Sequence, residues 1–240
     1  MLDFLYPRYC SLCGRSMKDT QGLCKECLDS IKVFSPPTCP RCGIPFSSKE
    51  TLSKSPQHIC GECRVSPPPF DIAYSVGPYE GTMAEAIHKF KYSKKRSLGS
   101  ILGGLLYEYL SSSPFSSLFT FHSSLLLVPV PLHPERLRER EFNQSTLLAK
   151  ELSKGLSIPM MIDNLFRIRN TRAQIGLEVD ERKRNMKGAF SLKKPLSVEG
   201  KTVLLIDDVY TTGSTIKECT RVLKRAGAES VYAVTLARTV

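Results

Sequence analysis

The spacing of apolar and polar positions along this 240-residue chain changes character near residue 70. Before it, cysteines and polar residues alternate, and few apolar residues recur at any regular spacing. Beyond it, residues 71–79 alternate as a strand does, and 83–92 and 97–110 repeat apolar residues at helical spacing. The run 125–130 is continuously apolar and fits a buried strand. A helix over 144–154, short strands at 165–169 and 189–192, a buried strand over 202–207, a helix over 214–226 and a last strand over 230–237 follow. Strands alternating with helices predict an α/β fold, a mostly parallel sheet with helices on both faces. Val65-Ser-Pro-Pro-Pro-Phe70 continues neither a helix nor a central strand, so it reads as a hinge. The expected division is a small module over 1–66 and an α/β domain over 70–240. Residues 111–124, rich in Ser and Phe, read as a surface loop or a helix extension.

Composition narrows the possibilities. No run of 18 apolar residues occurs, which predicts a protein that is not integral to a membrane. The first residues carry no basic stretch ahead of an apolar one, so the expectation is a soluble cytoplasmic protein. Formal net charge is +11, from 34 Lys+Arg against 23 Asp+Glu. Of these, 9 and 6 lie in residues 1–70, which leaves 25 and 17, a net +8, beyond them. A phosphate-bearing partner suits that excess, either a diphosphate sugar or a nucleic acid.

Eight of the nine cysteines form four C-x-x-C pairs: Cys10/Cys13, Cys24/Cys27, Cys39/Cys42 and Cys60/Cys63. A C-x-x-C turn brings two thiolates onto one ion, and two such turns complete a tetrahedral S₄ site, so two structural Zn²⁺ ions are expected. Disulfides would need an oxidising compartment, and a redox dithiol would normally be single and sit beside a βαβ unit. Sequential pairing is preferred over an interleaved cross-brace because each ligand set then closes a short loop. With so little periodic apolar sequence in 1–66, metal binding supplies the folding free energy, about 10–16 kcal/mol in modules of this kind. Cys219 lies on a predicted helix and reads as a small core residue.

The stretch 203–216, Val-Leu-Leu-Ile-Asp-Asp-Val-Tyr-Thr-Thr-Gly-Ser-Thr-Ile, runs from an apolar strand through two carboxylates into a hydroxyl-rich turn and a helix. In an open parallel sheet such a turn lies at the carboxyl end of a strand, where ligands bind. Gly213 lets successive N–H groups converge on one point, and Thr211, Thr212, Ser214 and Thr215 add hydroxyls at a helix N-terminus. That is a cradle for a phosphate monoester, with Asp207 and Asp208 facing the attached sugar. An ordinary helix cap would explain one or two of these residues and not the whole run.

This stretch resembles the type I phosphoribosyltransferase signature, in which the acidic pair holds ribose hydroxyls and the T-T-G-S-T turn holds the 5′-phosphate. With the four C-x-x-C pairs, Phe90-Lys-Tyr92, Val128-Pro-Val-Pro-Leu132, Arg136-x-Arg-x-Arg140, Phe142-Asn-Gln144, Arg169, Gln174, Leu177, Arg182, Asn185 and Gly188-Ala-Phe190, the order resembles the ComF family over nearly the whole chain. Glu141 departs from the pattern, which usually has glycine there. The resemblance implies a phosphoribosyltransferase-type domain after a double zinc ribbon, phosphoribosyl diphosphate as ligand with Mg²⁺, and a diphosphate-side loop at Val130, Pro131, Leu132 and His133. Arg136, Arg138 and Arg140 would add guanidinium forks to that side. Their opposite-sign i,i+3 neighbours fit a solvated helix equally well. The segment 167–187 suits the mobile lid of this fold.

Lys89, Lys91, Lys94, Lys95 and Arg96, with Phe90 and Tyr92 for base stacking, form a basic cluster without acids and a candidate track for single-stranded DNA. The family resemblance implies DNA handling on the cytoplasmic side during natural transformation, with DNA-uptake proteins as partners. A Mg²⁺-dependent transferase acting on a nitrogenous base or amine is the alternative.

Overall fold

The computed structural model describes residues 8–17, 22–46, 58–112, 124–171 and 185–240. The N-terminal part contributes a two-residue ribbon, β1 (Arg8–Tyr9) with β2 (Ser16–Met17), and two single-turn helices, α1 (Lys25–Asp29) and α2 (Gly61–Val65). Then come β3 (Ile72–Pro78), α3 (Gly81–Tyr92), α4 (Leu98–Ser112) and β4 (Leu125–Pro129). They are followed by α5 (Pro134–Arg140), α6 (Gln144–Leu156), β5 (Leu165–Arg167) and β6 (Phe190–Leu192). A 3₁₀ turn (Pro195–Val198), β7 (Thr202–Tyr210), α7 (Ser214–Arg225) and β8 (Ser230–Arg238) complete the order. Among the described residues no helix is long and apolar enough to cross a membrane.

Strands β3, β8, β7 and β4 form, in that order, one sheet whose pairings are all parallel. The central strands read as continuous apolar runs because both faces are covered. Leu204 and Ile206 join the cluster beneath α3, α4 and α6, while Val203 and Leu205 join the cluster beneath α7. That alternation is the period of two of a strand, and it confirms helices on both faces.

The expected short strands differ from expectation in one respect. β5 and β6 pair with each other antiparallel, outside the main sheet. The reason is local: β5 buries only Leu165, so it lacks the two apolar faces a central strand needs. Residues 113–123 and 172–184, which include most of the predicted surface loop and Gln174, Leu177 and Arg182 of the predicted lid, lie outside the described residues.

The cysteine-rich part is packed onto the sheet. Phe34 N–H bonds the Val76 carbonyl at 2.7 Å and Ala73 N–H bonds the Arg41 carbonyl at 2.8 Å, so the segment between the two metal sites covers the edge strand β3. The approach requires Gly77, where any side chain would meet the Lys32 carbonyl. Cys10 and Cys24 belong to the core on one face of the sheet, and Cys39, Cys42 and Cys63 to the core on the other.

Candidate ligand cavity and metal centres

The eight paired cysteines form two clusters, Cys10/Cys13/Cys24/Cys27 and Cys39/Cys42/Cys60/Cys63, each with its sulfurs within 4.8 Å of one another. Neighbouring Sγ atoms lie 3.7 Å (Cys10–Cys27), 3.6 Å (Cys13–Cys24) and 3.7 Å (Cys42–Cys60) apart. A tetrahedral ion with Zn–S bonds of about 2.3 Å holds its sulfurs about 3.8 Å apart, whereas a disulfide needs about 2.05 Å. The residues therefore fit two zinc ions, in the sequential pairing. Backbone N–H groups support the ligands: Cys24 N–H points at Cys10 Sγ and Cys60 N–H at Cys39 Sγ, both at 3.4 Å. Burial pushes the Cys10 thiol up, but N–H groups of Cys24, Cys13 and Leu12 outweigh it and bring it to about 6. The Cys42 side chain, joined by the N–H groups of Cys60, Cys42 and Arg41, outweighs burial and brings Cys39 to about 4. Cys27 and Cys63 are pushed up instead, first by burial, and Cys42 first by its bond to the Cys39 side chain, so each cluster pairs a thiolate with protonated partners whose protons a metal displaces.

A cavity of about 410 Å³ opens at the carboxyl ends of β4 and β7. Its wall holds Asp207, Asp208, Thr211 and Thr215 from the predicted signature, and Val130, Pro131, Leu132, Arg136 and Arg140 from the predicted diphosphate side. The acidic pair lies within β7, one turn of chain earlier than the loop. Asp207 Oδ1 accepts from Ser145 Oγ at 3.0 Å and from the Asp208 N–H at 2.9 Å. Burial, then the adjacent Asp208 charge, push the Asp207 carboxyl up to about 7, with Lys91 opposing them. Asp208 Oδ1 is ion-paired at 2.8 Å to Lys91 Nζ. Burial works against the Lys91 ammonium, but Asp208 outweighs it and holds its pKa up.

In the loop 211–215 Gly213 has φ +68° and N-caps α7. A side chain there would also run into the Tyr210 phenol. Thr212 Oγ1 and Ser214 Oγ bond each other at 2.7 Å, which fixes the turn. Of the loop's hydroxyl residues, Thr211 and Thr215 lie on the cavity wall.

The arginine helix divides by its own period. Arg136 and Arg140, four residues apart, share the cavity side of α5, while Arg138 is exposed on the other and lines no part of the cavity. His133 is outside the cavity wall: its Nδ1 accepts from the Glu135 N–H at 3.4 Å and caps α5. The Val130 N–H is spent on the Ile206 carbonyl at 2.9 Å. Phe142-Asn-Gln144 joins α5 to α6, and Asn143 and Gln144 also line the cavity. Phe142 packs on Phe90 at 5.6 Å, and Asn143 caps α6 while bonding the Val130 carbonyl at 2.9 Å. Gln144 Oε1 accepts from Arg140 at 3.2 Å.

The basic cluster is also corrected. Phe90 is fully buried and offers no face to a base. Lys91 belongs to the cavity. Lys89 donates to the carbonyls of Ser11 and Leu12 at 2.7 and 3.3 Å, so it seals the first zinc module to α3. Lys94 pairs with Glu141, and Arg96 lies 5.5 Å from the Phe142 ring centroid. Lys94, Lys95 and Arg96 stay exposed, as does Tyr92, whose ring carries Arg140 at 5.1 Å. The cluster divides because Lys89, Phe90 and Lys91 take different sides of α3, which ends at Tyr92, while Lys94, Lys95 and Arg96 lie beyond the helix.

Sequence reasoning missed Arg167. It sits two residues from buried Leu165, so the strand period puts it on the inward side of β5, where it lines the cavity. Burial, then the nearby Arg136 charge, pull its pKa down. Its Nε is buried and, among the described residues, unpartnered. Arg169 has a different role, bonding the carbonyls of Asn185 and Lys187 at 2.8 Å each. Three guanidinium-bearing residues thus line one cavity, with an acidic pair already neutralised in part by Lys91. The arrangement suits a multiply charged anion attached to a polyol.

A metal-clasping N-terminal module on a parallel α/β domain with this loop is the architecture of a double zinc ribbon joined to a phosphoribosyltransferase domain. Residues 1–66 match the double zinc ribbon domain family, and residues 143–239 match the phosphoribosyl transferase domain family. The chain is 35% identical to the DNA utilization protein YhgH of Escherichia coli K12, over 97% of this chain and 98% of that one. It is 32% identical to competence protein F of Haemophilus influenzae, over 99% and 100%. A purine phosphoribosyltransferase structure from Pyrococcus horikoshii is 17% identical over 58% of this chain and 72% of that one, with a TM-score of 0.34. The chain belongs to the ComF family.

Proposed function

We propose that the cavity binds phosphoribosyl diphosphate with Mg²⁺ and that the protein handles single-stranded DNA on the cytoplasmic side during DNA uptake. The observation that carries the first half is the convergence on one cavity of the signature loop, the Asp207/Asp208 pair and the side chains of Arg136, Arg140 and Arg167. Thr211 to Thr215 take the 5′-phosphate, Asp207 and Asp208 accept ribose hydroxyl protons, and the arginines face the diphosphate. Because Lys91 occupies Asp208, the acidic pair is no bare metal site, and Mg²⁺ would be carried by the ligand's diphosphate and offset its charge. The second half is supported by the names of the relatives, competence protein F and DNA utilization protein. Exposed Lys94, Lys95 and Arg96, which follow exposed Tyr92 in the chain, and exposed Arg138 would supply the footprint.

Calorimetry with phosphoribosyl diphosphate and Mg²⁺, then with single-stranded DNA, tests both halves. With about three phosphates neutralised, log affinity for DNA falls against log salt with a slope near −2. Absence of sugar-diphosphate binding removes the first half, and absence of DNA binding at low salt removes the second. Tyr79, His88 and Tyr92 on the same cavity wall favour a second reading, Mg²⁺-dependent transfer of the phosphoribosyl group to a nitrogen nucleophile. Release of diphosphate on adding candidate bases or amines would select it.

A further inference from the structure

Arg238, at the end of β8, is only 3% exposed, and among the described residues no carboxylate pairs with it. Its Nη1 donates to the carbonyl of Cys42, a ligand residue of the second zinc site. A buried guanidinium is costly without a counter-charge. A zinc ion with four thiolates carries a net charge of about −2 and supplies it. The same guanidinium lies 4.8 Å from the ring centroid of Tyr210, itself buried. The Tyr210 phenol fills the space beside Gly213, the left-handed residue on which the phosphate loop turns. A second route runs over the surface. Glu62, on the helix that opens with the Cys60–Cys63 turn, pairs with Lys217 at 3.3 Å, and Lys217 Nζ donates to the Thr212 carbonyl at 3.2 Å.

The first zinc site differs. Its module meets the helical domain through Lys89 and α3 on the opposite face of the sheet.

We infer that Arg238 is a positioning residue that couples the second zinc site to the phosphate loop. Zinc on Cys39, Cys42, Cys60 and Cys63 holds Arg238, Tyr210 and Gly213 in the phosphate-binding arrangement, and a phosphate on the loop retains that zinc in return. Linkage requires the effect to run both ways. The inference rests on the reading of the 211–215 loop as a phosphate site.

Ribose 5-phosphate is the probe, because its single phosphate occupies that loop alone. Its binding to the full-length zinc-loaded protein is measured first by calorimetry. If it does not bind, the reading of the loop fails at that step and the coupling falls with it. Pulse alkylation during chelation, read by mass spectrometry, then follows each cysteine with and without ligand. The expected result is about fivefold or greater slowing at Cys39, Cys42, Cys60 and Cys63, with Cys10, Cys13, Cys24 and Cys27 unchanged. Binding without slowing, or equal slowing of both groups, overturns the coupling. Arg238→Met and Tyr210→Leu, each first shown to hold two zinc ions, should lose the selective slowing. Retention of it in Arg238→Met removes Arg238 from the role.

Discussion

Replacing Lys91 by Met keeps most of the side chain's bulk and removes the cation that is ion-paired to Asp208. The Nζ–Oδ1 distance to Asp208 is 2.8 Å, and both side chains are largely buried, at 16% and 11% exposure. At an effective dielectric of about 20 the gross attraction at that distance is roughly 6 kcal/mol. Desolvation offsets much of it, and because both groups border a cavity the expected loss is about 3 kcal/mol, the low end for breaking a buried pair. The pH dependence identifies the cause. Asp207 stands near 7 because of burial and the Asp208 charge, with Lys91 opposing. An unfolded aspartate titrates near about 3.9, so between about pH 4 and 7 the native state keeps a proton that the unfolded chain releases. That group's cost to stability therefore grows as pH rises through the window and is complete above it. Without Lys91 the native carboxyl shifts further up and the window extends past 7. Urea unfolding of the wild type and Lys91→Met at pH 5, 6, 7 and 8 should show a deficit largest at pH 8 and smaller at pH 5, where Asp207 keeps its proton. A deficit that does not vary with pH would refute the assignment of Lys91 as the neutralising cation.

Elemental analysis should find two zinc ions per chain, retained in Cys219→Ser and reduced to one in any folded Cys10→Ser protein, since Cys219 is buried away from both clusters. Gly213→Val should abolish ribose 5-phosphate binding through its φ of +68° and the Tyr210 contact. Thr212→Ala, which removes the partner of Ser214 Oγ, should weaken it roughly tenfold, about 1.4 kcal/mol; calorimetry reads both. Glu141 has φ +67°, and its ion pair with Lys94 is exposed. Glu141→Gly should raise stability by about 1 kcal/mol in urea unfolding, the relief of a left-handed residue exceeding the loss of a surface pair.

Much of this architecture is visible in the order of residue types. The strand-turn-helix of 202–225 declares itself because one element supplies every part: apolar run, acids, hydroxyls and glycine succeed one another on a single stretch of chain. The four C-x-x-C pairs are legible for the same reason, each turn being local. Their pairing was a preference until the sulfurs were seen together.

What stayed hidden depends on meetings between distant segments. Lys91 reads as one of five surface cations, yet the helix period turns it toward β7 and away from Lys89, and Lys94 lies past the helix end. Arg167 looks like the start of a charged surface segment until Leu165 fixes which side of β5 is inward. The strongest case is the edge of the sheet. A proline-rich hinge suggests two beads on a string, but Phe34 and Arg41 bond β3, and the two metal clusters enter opposite cores. A module with little apolar periodicity of its own gains burial by lending its cysteines to its neighbour's core. The neighbour in turn gains cover for an open strand edge. Metal loss should therefore reach the ligand cavity, and most directly through the cluster on the face that carries Tyr210 and α7.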